Sequence, residues 1–183
     1  PGRIEGAPWP TESEGFAGHG VLSNEDDSAF DAADTSYFCV VDDQGNMMAG
    51  TPSDGAYRGE IVDGLGLHAS MRGLCAWPDP AHPSCVAPGK RPRTTMGPAL
   101  AVKPGAWAMG LGSPGADVQH QGMLQVLTNI LHFGMDVQQA VEAPRWASYS
   151  FPGSFSPHDY TPGQLKVEAR IGEETGKALE AKG

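Results

Sequence analysis

The sequence predicts an α+β fold in which strand-like segments come first and packed helices follow. Two pairs of short apolar runs, each pair separated by a turn-like segment, precede the clearest helical period of the 183-residue chain. Strands and helices do not alternate in the βαβ manner, which argues against a doubly wound parallel sheet. The 25 glycines and 16 prolines are about twice average usage, and with 39% hydrophobic residues they indicate a loop-rich globular chain. We therefore expect a layered sheet covered by helices.

Two β-hairpins are predicted in the middle of the chain. Residues 37–41 are β-branched and aromatic over the length of a strand, residues 42–46 contain the turn formers Asp, Gly and Asn, and residues 47–51 supply the returning strand. Residues 99–102 and 106–111 form a second pair around a Lys-Pro-Gly turn.

Two helices are predicted after the second hairpin. The first is indicated by apolar residues at spacings of three and four, which share one face: Met123, Leu124, Leu127, Ile130 and Leu131. We expect it to end at Gly134, a typical residue just after a helix, and to bury its apolar face in the core. Asp136 with Gln139 resembles a capping box and predicts a second, shorter helix that stops at Pro144.

The charge balance excludes several function classes. The chain carries 22 acidic and 12 basic residues, a net charge of −10, so it lacks the basic surface of a nucleic-acid binder. No apolar run approaches the roughly 18 residues of a membrane span. Three cysteines are too few for a disulfide scaffold, and they leave the compartment, periplasmic or cytoplasmic, open.

The acidic charge is concentrated near the start of the chain. Residues 1–34 contain eight acidic residues against the single basic Arg3, with no sustained apolar period. Such a segment buries too little surface to offset the entropy of ordering it. We predict an acidic flexible linker over residues 1–34 and a packed region over residues 35–183.

Thr35 stands at the junction between these two regions. A hydroxyl is a poor nucleophile unless a base lies beside it. A chain break before Thr35 would create an α-amino group with a pKa of about 7.7–8.0, able to take the proton of its own hydroxyl. The alternative is that this Asp-Thr pair is ordinary loop.

The glycine-rich turn over residues 112–117 is a candidate anion site. Glycine and proline between a strand and a helix leave backbone N–H groups free at the helix N-terminus, where a developing oxyanion is stabilised. The alternative is a tight connector between the two elements.

No cofactor or metal is predicted. The histidines and cysteines that would have to assemble a metal site have none of the usual ligand spacings and lie among prolines: His68, His82, Cys75 and Cys85. We expect loop residues and small buried thiols there.

Four stretches of the chain, in order, resemble the small-subunit region of the γ-glutamyltranspeptidase (glutathione hydrolase) family. They are TSYFCVVD at residues 35–42, APGKRPRTTMGP at 87–98, GSPG at 112–115, and the segment from LQVL through FGMD to AVEAPR at 124–145. The resemblance implies an αββα N-terminal-nucleophile hydrolase fold, of which this chain supplies a part. It also implies a zymogen that cuts itself and then cleaves γ-glutamyl amides by hydrolysis or acyl transfer.

The resemblance assigns the nucleophile and its partner. It implies that the bond between Asp34 and Thr35 is cut and that Thr35 then acts as the catalytic nucleophile. The hydroxyl partner of that nucleophile falls on Ser53.

The resemblance also assigns residues around the substrate. It implies that Thr94 and Thr95 hold the glutamyl carboxylate and that Asp79 contacts the glutamyl amino group, here with a one-residue shift. The N–H groups of the oxyanion hole fall on Gly115 and Ala116, and we expect the alanine to serve if its φ is negative.

Two substitutions at the glutamyl-reading side leave the substrate open. The family's substrate-binding asparagine is Gly55 here, and its glutamine falls on Cys75. The default substrate is a γ-glutamyl amide. The alternatives are a related amidohydrolase or acylase with a non-glutamyl substrate, and an inactive member that keeps the scaffold. The resemblance further implies a large-subunit region of the same precursor as partner, and further strands beyond the last residue.

Overall fold

The computed structural model describes residues 4–6, 34–54 and 61–182. The strands in this part of the chain are β1 (Ile4–Gly6), β2 (Asp34–Thr35), β3 (Phe38–Val41), β4 (Met47–Gly50), β5 (Ser53–Asp54), β6 (Ile61–Val62), β7 (Leu67–His68), β8 (Ala99–Lys103), β9 (Trp107–Leu111), β10 (Trp146–Ser148) and β11 (Leu165–Val167). The helices are α1 (Gln119–Leu131), α2 (Val137–Glu142) and α3 (Glu173–Glu180), with 3₁₀ turns at Met71–Cys75, Ala116–Val118 and Ala169–Ile171. The mixture of helices and strands confirms the predicted α+β class.

Both predicted hairpins are confirmed. Strands β3 and β4 pair antiparallel, and so do β8 and β9. The turn of the first hairpin is organised by Asp42, whose carboxylate accepts hydrogen bonds from the backbone N–H groups of Gln44 and Asn46 at 2.9 and 2.8 Å. The Asn46 side chain donates to the same carboxylate at 2.7 Å. These donors, the Asn46 side chain first, lower the pKa of Asp42, because they stabilise its ionised form.

Both predicted helices are confirmed, with caps where the sequence indicated them. Gly134, just beyond α1, has φ +68°, a conformation that glycine adopts at little cost. The capping box of α2 is complete, because the Asp136 carboxylate accepts from Gln139 N at 2.8 Å and Gln139 Oε1 accepts from Asp136 N at 3.1 Å. Helix α1 starts at Gln119, one turn before the apolar face begins.

The apolar face of α1 differs from the expectation that it is buried. Leu124 and Leu131 are 62% and 52% exposed. Within the described residues α1 packs mainly on α2, on β10 and on the 3₁₀ turn before it. Met123, Leu127 and Ile130 are half-buried, so the described residues cover the apolar stripe only in part.

Side-chain amides of α1 bind the edge of strand β10. Gln121 exchanges two hydrogen bonds with the backbone of Ser148, at 2.8 and 3.0 Å, and Gln125 does the same with Trp146, at 3.0 and 2.9 Å. The other edge of β10 pairs antiparallel with β11, which in turn pairs parallel with β1. Backbone groups on both sides of β10 are therefore satisfied, and this fixes α1 to the sheet.

Strand β1 was not predicted, and most of the predicted linker lies outside the described residues, so the linker stays a prediction. None of the helices in the described part of the chain is long and apolar enough to cross a membrane.

Candidate active site

Strands β2 and β5 bring the Thr35 and Ser53 hydroxyl groups together. The two strands pair antiparallel over two residues, with Asp34 opposite Asp54 and Thr35 opposite Ser53. Ser36 N extends the pairing by donating to Pro52 O at 3.0 Å. In this register Thr35 Oγ1 lies 2.7 Å from Ser53 Oγ, an ordinary hydrogen-bond distance between two half-buried hydroxyl groups.

Arg72 joins this pair and was missed at the sequence level. Its Nη2 donates to Ser53 Oγ and also, at 2.8 Å, to Ser53 O, which accepts from Nε at 3.3 Å as well. Its Nη1 donates to Thr95 Oγ1 at 3.4 Å. The guanidinium stacks over the Phe155 ring, 5.3 Å from the centroid. The signal available in the sequence was only an arginine in a stretch where the resemblance implies polar substrate contacts.

The two neighbouring threonines lie in different environments. Thr95 is buried, at 3% exposure, and reaches the Thr35–Ser53 pair through Arg72. When the Gln119 side-chain amide is oriented so that its oxygen and its nitrogen both have partners, its nitrogen donates to Thr95 O at 3.2 Å. Thr94 is exposed, and its Oγ1 accepts from Met96 N at 3.3 Å.

The turn at Gly115 and Ala116 has a left-handed backbone. Gly115 has φ +122° and Ala116 has φ +46°, so the negative φ on which the role of the alanine depended is not found. An alanine in this region costs roughly 1 kcal/mol or more, a strain that the surrounding structure has to hold. Among the described residues, no acceptor is bound by the backbone N–H groups of Gly115 and Ala116. Two free donors therefore stand side by side at the start of the helical segment.

Asp117 anchors this turn to residues 152–154. Its carboxylate accepts from Ser154 N at 2.8 Å and from the Ser154 hydroxyl, and Arg93 Nη2 lies 3.7 Å from its Oδ1. Arg93 also donates to Pro152 O at 3.4 Å. Burial raises the pKa of Tyr149, and the negative charge of Asp117 adds to that rise.

Gly112 allows Tyr37 to pack against the end of β9. A Cβ at Gly112 would lie 1.8 Å from the Tyr37 ring. Tyr37 is two residues beyond Thr35, so this close approach ties the start of β3 to the glycine-rich turn. Burial raises the pKa of Tyr37, with Cys39 adding to the rise.

Cys75 and Asp79 lie on the segment that carries Arg72. Cys75 is fully buried, and burial raises the pKa of its thiol, with the nearby Arg72 opposing the rise. Asp79 is exposed and its carboxylate accepts from Ala81 N at 2.9 Å. In the described part of the chain no hydrogen bond joins Asp79 to the Thr35–Ser53–Arg72 network. Gly55 lies outside the described residues.

Three stacked rings hold this segment against the residues around His158. Trp77 lies between His82 and His158, with ring centroids 3.9 and 4.1 Å away and nearly parallel planes. Nearby, Ser156 N donates to Leu74 O at 2.8 Å. A search of the described residues finds no group of three or more His, Cys, Asp or Glu side chains able to hold a metal ion.

The family model of γ-glutamyltranspeptidase matches residues 12–183. The chain belongs to the γ-glutamyltranspeptidase family. Curated relatives include an acylase ACY 1 proenzyme from a Pseudomonas species, 35% identical over 85% of this chain and 26% of that protein. A glutathione hydrolase proenzyme from Escherichia coli is 30% identical over 84% of this chain and 27% of that protein. The chain thus spans about a quarter of the length of the curated relatives it matches.

A solved γ-glutamyltranspeptidase variant from Helicobacter pylori has the same fold. It superimposes with a TM-score of 0.63 at 22% identity, over 80% of this chain and 81% of that chain. The chain described here therefore supplies part of an N-terminal-nucleophile hydrolase fold, as the sequence motifs implied.

Proposed function

We propose that this chain carries the nucleophile of a γ-glutamyltranspeptidase-type amidase, and that the nucleophile is Thr35. The observation that carries the proposal is the 2.7 Å distance between Thr35 Oγ1 and Ser53 Oγ. A nucleophilic hydroxyl needs a neighbour that orients it and stabilises its charge as its proton leaves. Ser53 is such a neighbour, held opposite Thr35 by the register of β2 and β5.

The first reaction is cleavage of the chain's own Asp34–Thr35 bond. Thr35 Oγ1 attacks the Asp34 carbonyl carbon, a C–O bond forms, the C–N bond breaks, and the hydroxyl proton passes to the departing nitrogen. Water then hydrolyses the resulting ester, giving a carboxylate at Asp34 and returning a proton to Thr35 Oγ1. The new α-amino group, with an ordinary pKa of about 7.7–8.0, is left beside the hydroxyl as its base.

The second reaction repeats this chemistry on a substrate amide. Thr35 takes the acyl group, the amine leaves with the hydroxyl proton, and water or another amine releases the acyl group. The proposed oxyanion hole consists of the N–H groups of Gly115 and Ala116, which bind no acceptor among the described residues, and positioned donors of this kind stabilise a developing negative charge. Since the φ of Ala116 is positive, the condition drawn from the sequence is not met, and the assignment rests on these two N–H groups alone. Thr94 and Thr95 are the proposed ligands of the substrate carboxylate, with Asp79 reading its amino group.

The proposed partner is a large-subunit region of the same precursor. The relatives are proenzymes about four times as long as the matched segment. Large apolar side chains are exposed on both hairpins and on α1: Val40, Val41, Met48, Leu100, Val102, Leu124 and Leu131. So many exposed large apolar side chains on these elements favour an interface there.

A second candidate is an acylase with a non-glutamyl acyl group. A fully buried Cys75 occupies the place where the resemblance implies a glutamine for the glutamyl amino group. A thiol is a weak acceptor and binds an ammonium poorly. A site without polar contacts to the glutamyl amino group loses its selectivity for substrates that carry this group. The 35% identical relative named as an acylase supports this candidate.

The intact mass of the full-length protein tests the nucleophile. After incubation at neutral pH, wild type is expected to give two fragments, the smaller beginning at Thr35, while Thr35→Ala stays uncut. Ser36→Ala, which removes the adjacent exposed hydroxyl, is the matched control and should be cut like wild type. An uncut wild type, or a Thr35→Ala variant that is cut, contradicts the proposal.

Turnover of two chromogenic amides separates the candidate substrates. Hydrolysis of γ-glutamyl-p-nitroanilide with little activity on glutaryl-p-nitroanilide, which lacks the α-amino group, supports the γ-glutamyl function. The reverse preference supports the acylase. Mature enzyme without activity on either amide contradicts both assignments and favours a scaffold role.

A further inference from the structure

The Arg72 guanidinium is separated from the Thr35 hydroxyl by a single oxygen atom. Arg72 Nη2 donates to Ser53 Oγ, and Ser53 Oγ lies 2.7 Å from Thr35 Oγ1. The arginine is itself held from several sides, by Ser53 O, by Thr95 Oγ1 and by the Phe155 ring. Its position is set one residue earlier, where the Asp54 carboxylate accepts from Met71 N at 3.0 Å.

We propose that Arg72 is a positioning residue that turns the Ser53 hydroxyl into a fixed donor to Thr35 Oγ1. This inference rests on the proposed function, because it assumes that Thr35 is the nucleophile.

The direction of the hydrogen bond follows from the donor and acceptor inventory. A guanidinium has donors only, so Ser53 Oγ must accept from Arg72. A serine hydroxyl has one proton to donate, and among the described residues Thr35 Oγ1 is the remaining hydrogen-bonding partner of Ser53 Oγ. With Ser53 donating, the Thr35 proton stays free to leave, and the oxygen that loses it already has a donor in place.

The positive charge strengthens this arrangement. A hydroxyl that accepts from a cation becomes a better donor, and charge-assisted hydrogen bonds are about twice as strong as neutral ones. As Thr35 Oγ1 gains negative charge during attack, Ser53 donates a hydrogen bond to it. The permanent positive charge of Arg72, bound to Ser53 Oγ, then stabilises that negative charge through the serine hydroxyl. The planar fork of arginine suits this task, because it binds Ser53 O, Ser53 Oγ and Thr95 Oγ1 at once.

The rate of self-cleavage tests the inference without knowledge of the substrate. Full-length protein is made by cell-free translation, and the fraction cut before Thr35 is followed by mass. Arg72→Met is expected to slow cleavage by about 10- to 100-fold, the loss expected when a hydrogen bond to a charged group is removed. Arg72→Lys should recover part of the rate, because one ammonium keeps the charge but cannot bind all three acceptors.

A double-mutant cycle identifies the route of the effect. If Arg72 acts through the Ser53 hydroxyl, Arg72→Met should slow a Ser53→Ala protein by less than about threefold. The full 10- to 100-fold loss in that background overturns the inference, and so does an Arg72→Met protein that cleaves at the wild-type rate. Should Arg72→Met fail to fold, the same cycle is run with Arg72→Lys.

The controls separate this inference from the proposed function. Lys177→Met, which removes an exposed cation on α3, should cleave like wild type. An uncut wild type overturns the proposed function itself. If wild type is cut but the effects of Arg72→Met and Ser53→Ala on the cleavage rate simply add in the double variant, only the role of Arg72 is overturned.

Discussion

The Asp117 carboxylate is the group whose removal should most clearly loosen the candidate oxyanion turn. It binds both donors of Ser154, a residue with only 1% of its surface exposed. Asp117→Ala removes both acceptors, and the backbone N–H of Ser154 cannot rotate to find another. We therefore expect this N–H to lose its protection while the rest of the domain stays folded.

The size of the effect follows from the lost hydrogen bond. A hydrogen bond to a charged group contributes about 1.5–3 kcal/mol. Because each 1.4 kcal/mol corresponds to a factor of ten, local opening at Ser154 should become about 10- to 150-fold more frequent. Asp117→Asn should give a smaller increase, since its amide oxygen can still accept from Ser154 N.

Hydrogen–deuterium exchange of the full-length protein, resolved to the Ser154 amide, measures this opening. Asp159→Ala is the matched control, because Asp159 is an exposed aspartate in the same loop. Its backbone O accepts from Gly153 N at 2.7 Å, and the substitution leaves that backbone bond in place. Exchange at Ser154 that stays within twofold of wild type in Asp117→Ala would refute the reasoning.

The remaining predictions concern the strained alanine and the buried thiol. Ala116→Gly should raise the free energy of unfolding in urea by about 0.5–1 kcal/mol, because glycine relieves the left-handed strain. The control, Ala140→Gly in α2, should lower that free energy. A lower free energy of unfolding in both variants would contradict the strain at Ala116. Cys75 should resist iodoacetamide at pH 8 in the native protein and react only after unfolding, as read from peptide masses, because burial raises its pKa. Because this pKa is raised, the stability that the Cys75 thiol contributes is complete below the ordinary thiol pKa of about 8.5 and is lost as the pH rises above it. Between pH 8 and pH 10, a Cys75→Ala protein should therefore lose less stability than wild type.

The parts of the fold that were predicted from sequence are those set by local chemistry. The turn at Asp42 and the capping box of Asp136 and Gln139 are closed by residues within four positions of one another. Such contacts form in any tertiary context, so the residue pattern alone indicates them.

The parts that were missed depend on distant partners. Gln121 and Gln125 look like solvent-facing positions of a helix, but they bind strand β10 more than twenty residues away. Arg72 becomes part of the site only because the fold brings it to Ser53, which lies 19 residues earlier in the chain, and to Thr95, which lies 23 residues later. No local pattern specifies such pairings. The positive φ of Ala116 was not predicted, because a sequence does not show which residues the surrounding structure forces into a strained conformation.

The two-residue pairing of β2 with β5 has a consequence for the cleavage proposed above. The Asp34–Thr35 bond joins the only two paired residues of β2, so scission there divides the strand at its middle. The segment that ends at Asp34 would keep one pair on β5, Asp34 opposite Asp54, and its strand β1 would still be paired with β11. The segment that begins at Thr35 would stay on β5 through the pairing of Thr35 with Ser53 and the hydrogen bond from Ser36 N to Pro52 O. Under the proposed cleavage, the new N-terminus at Thr35 would therefore already lie beside Ser53, with no rearrangement of β5 needed to bring the two hydroxyl groups together.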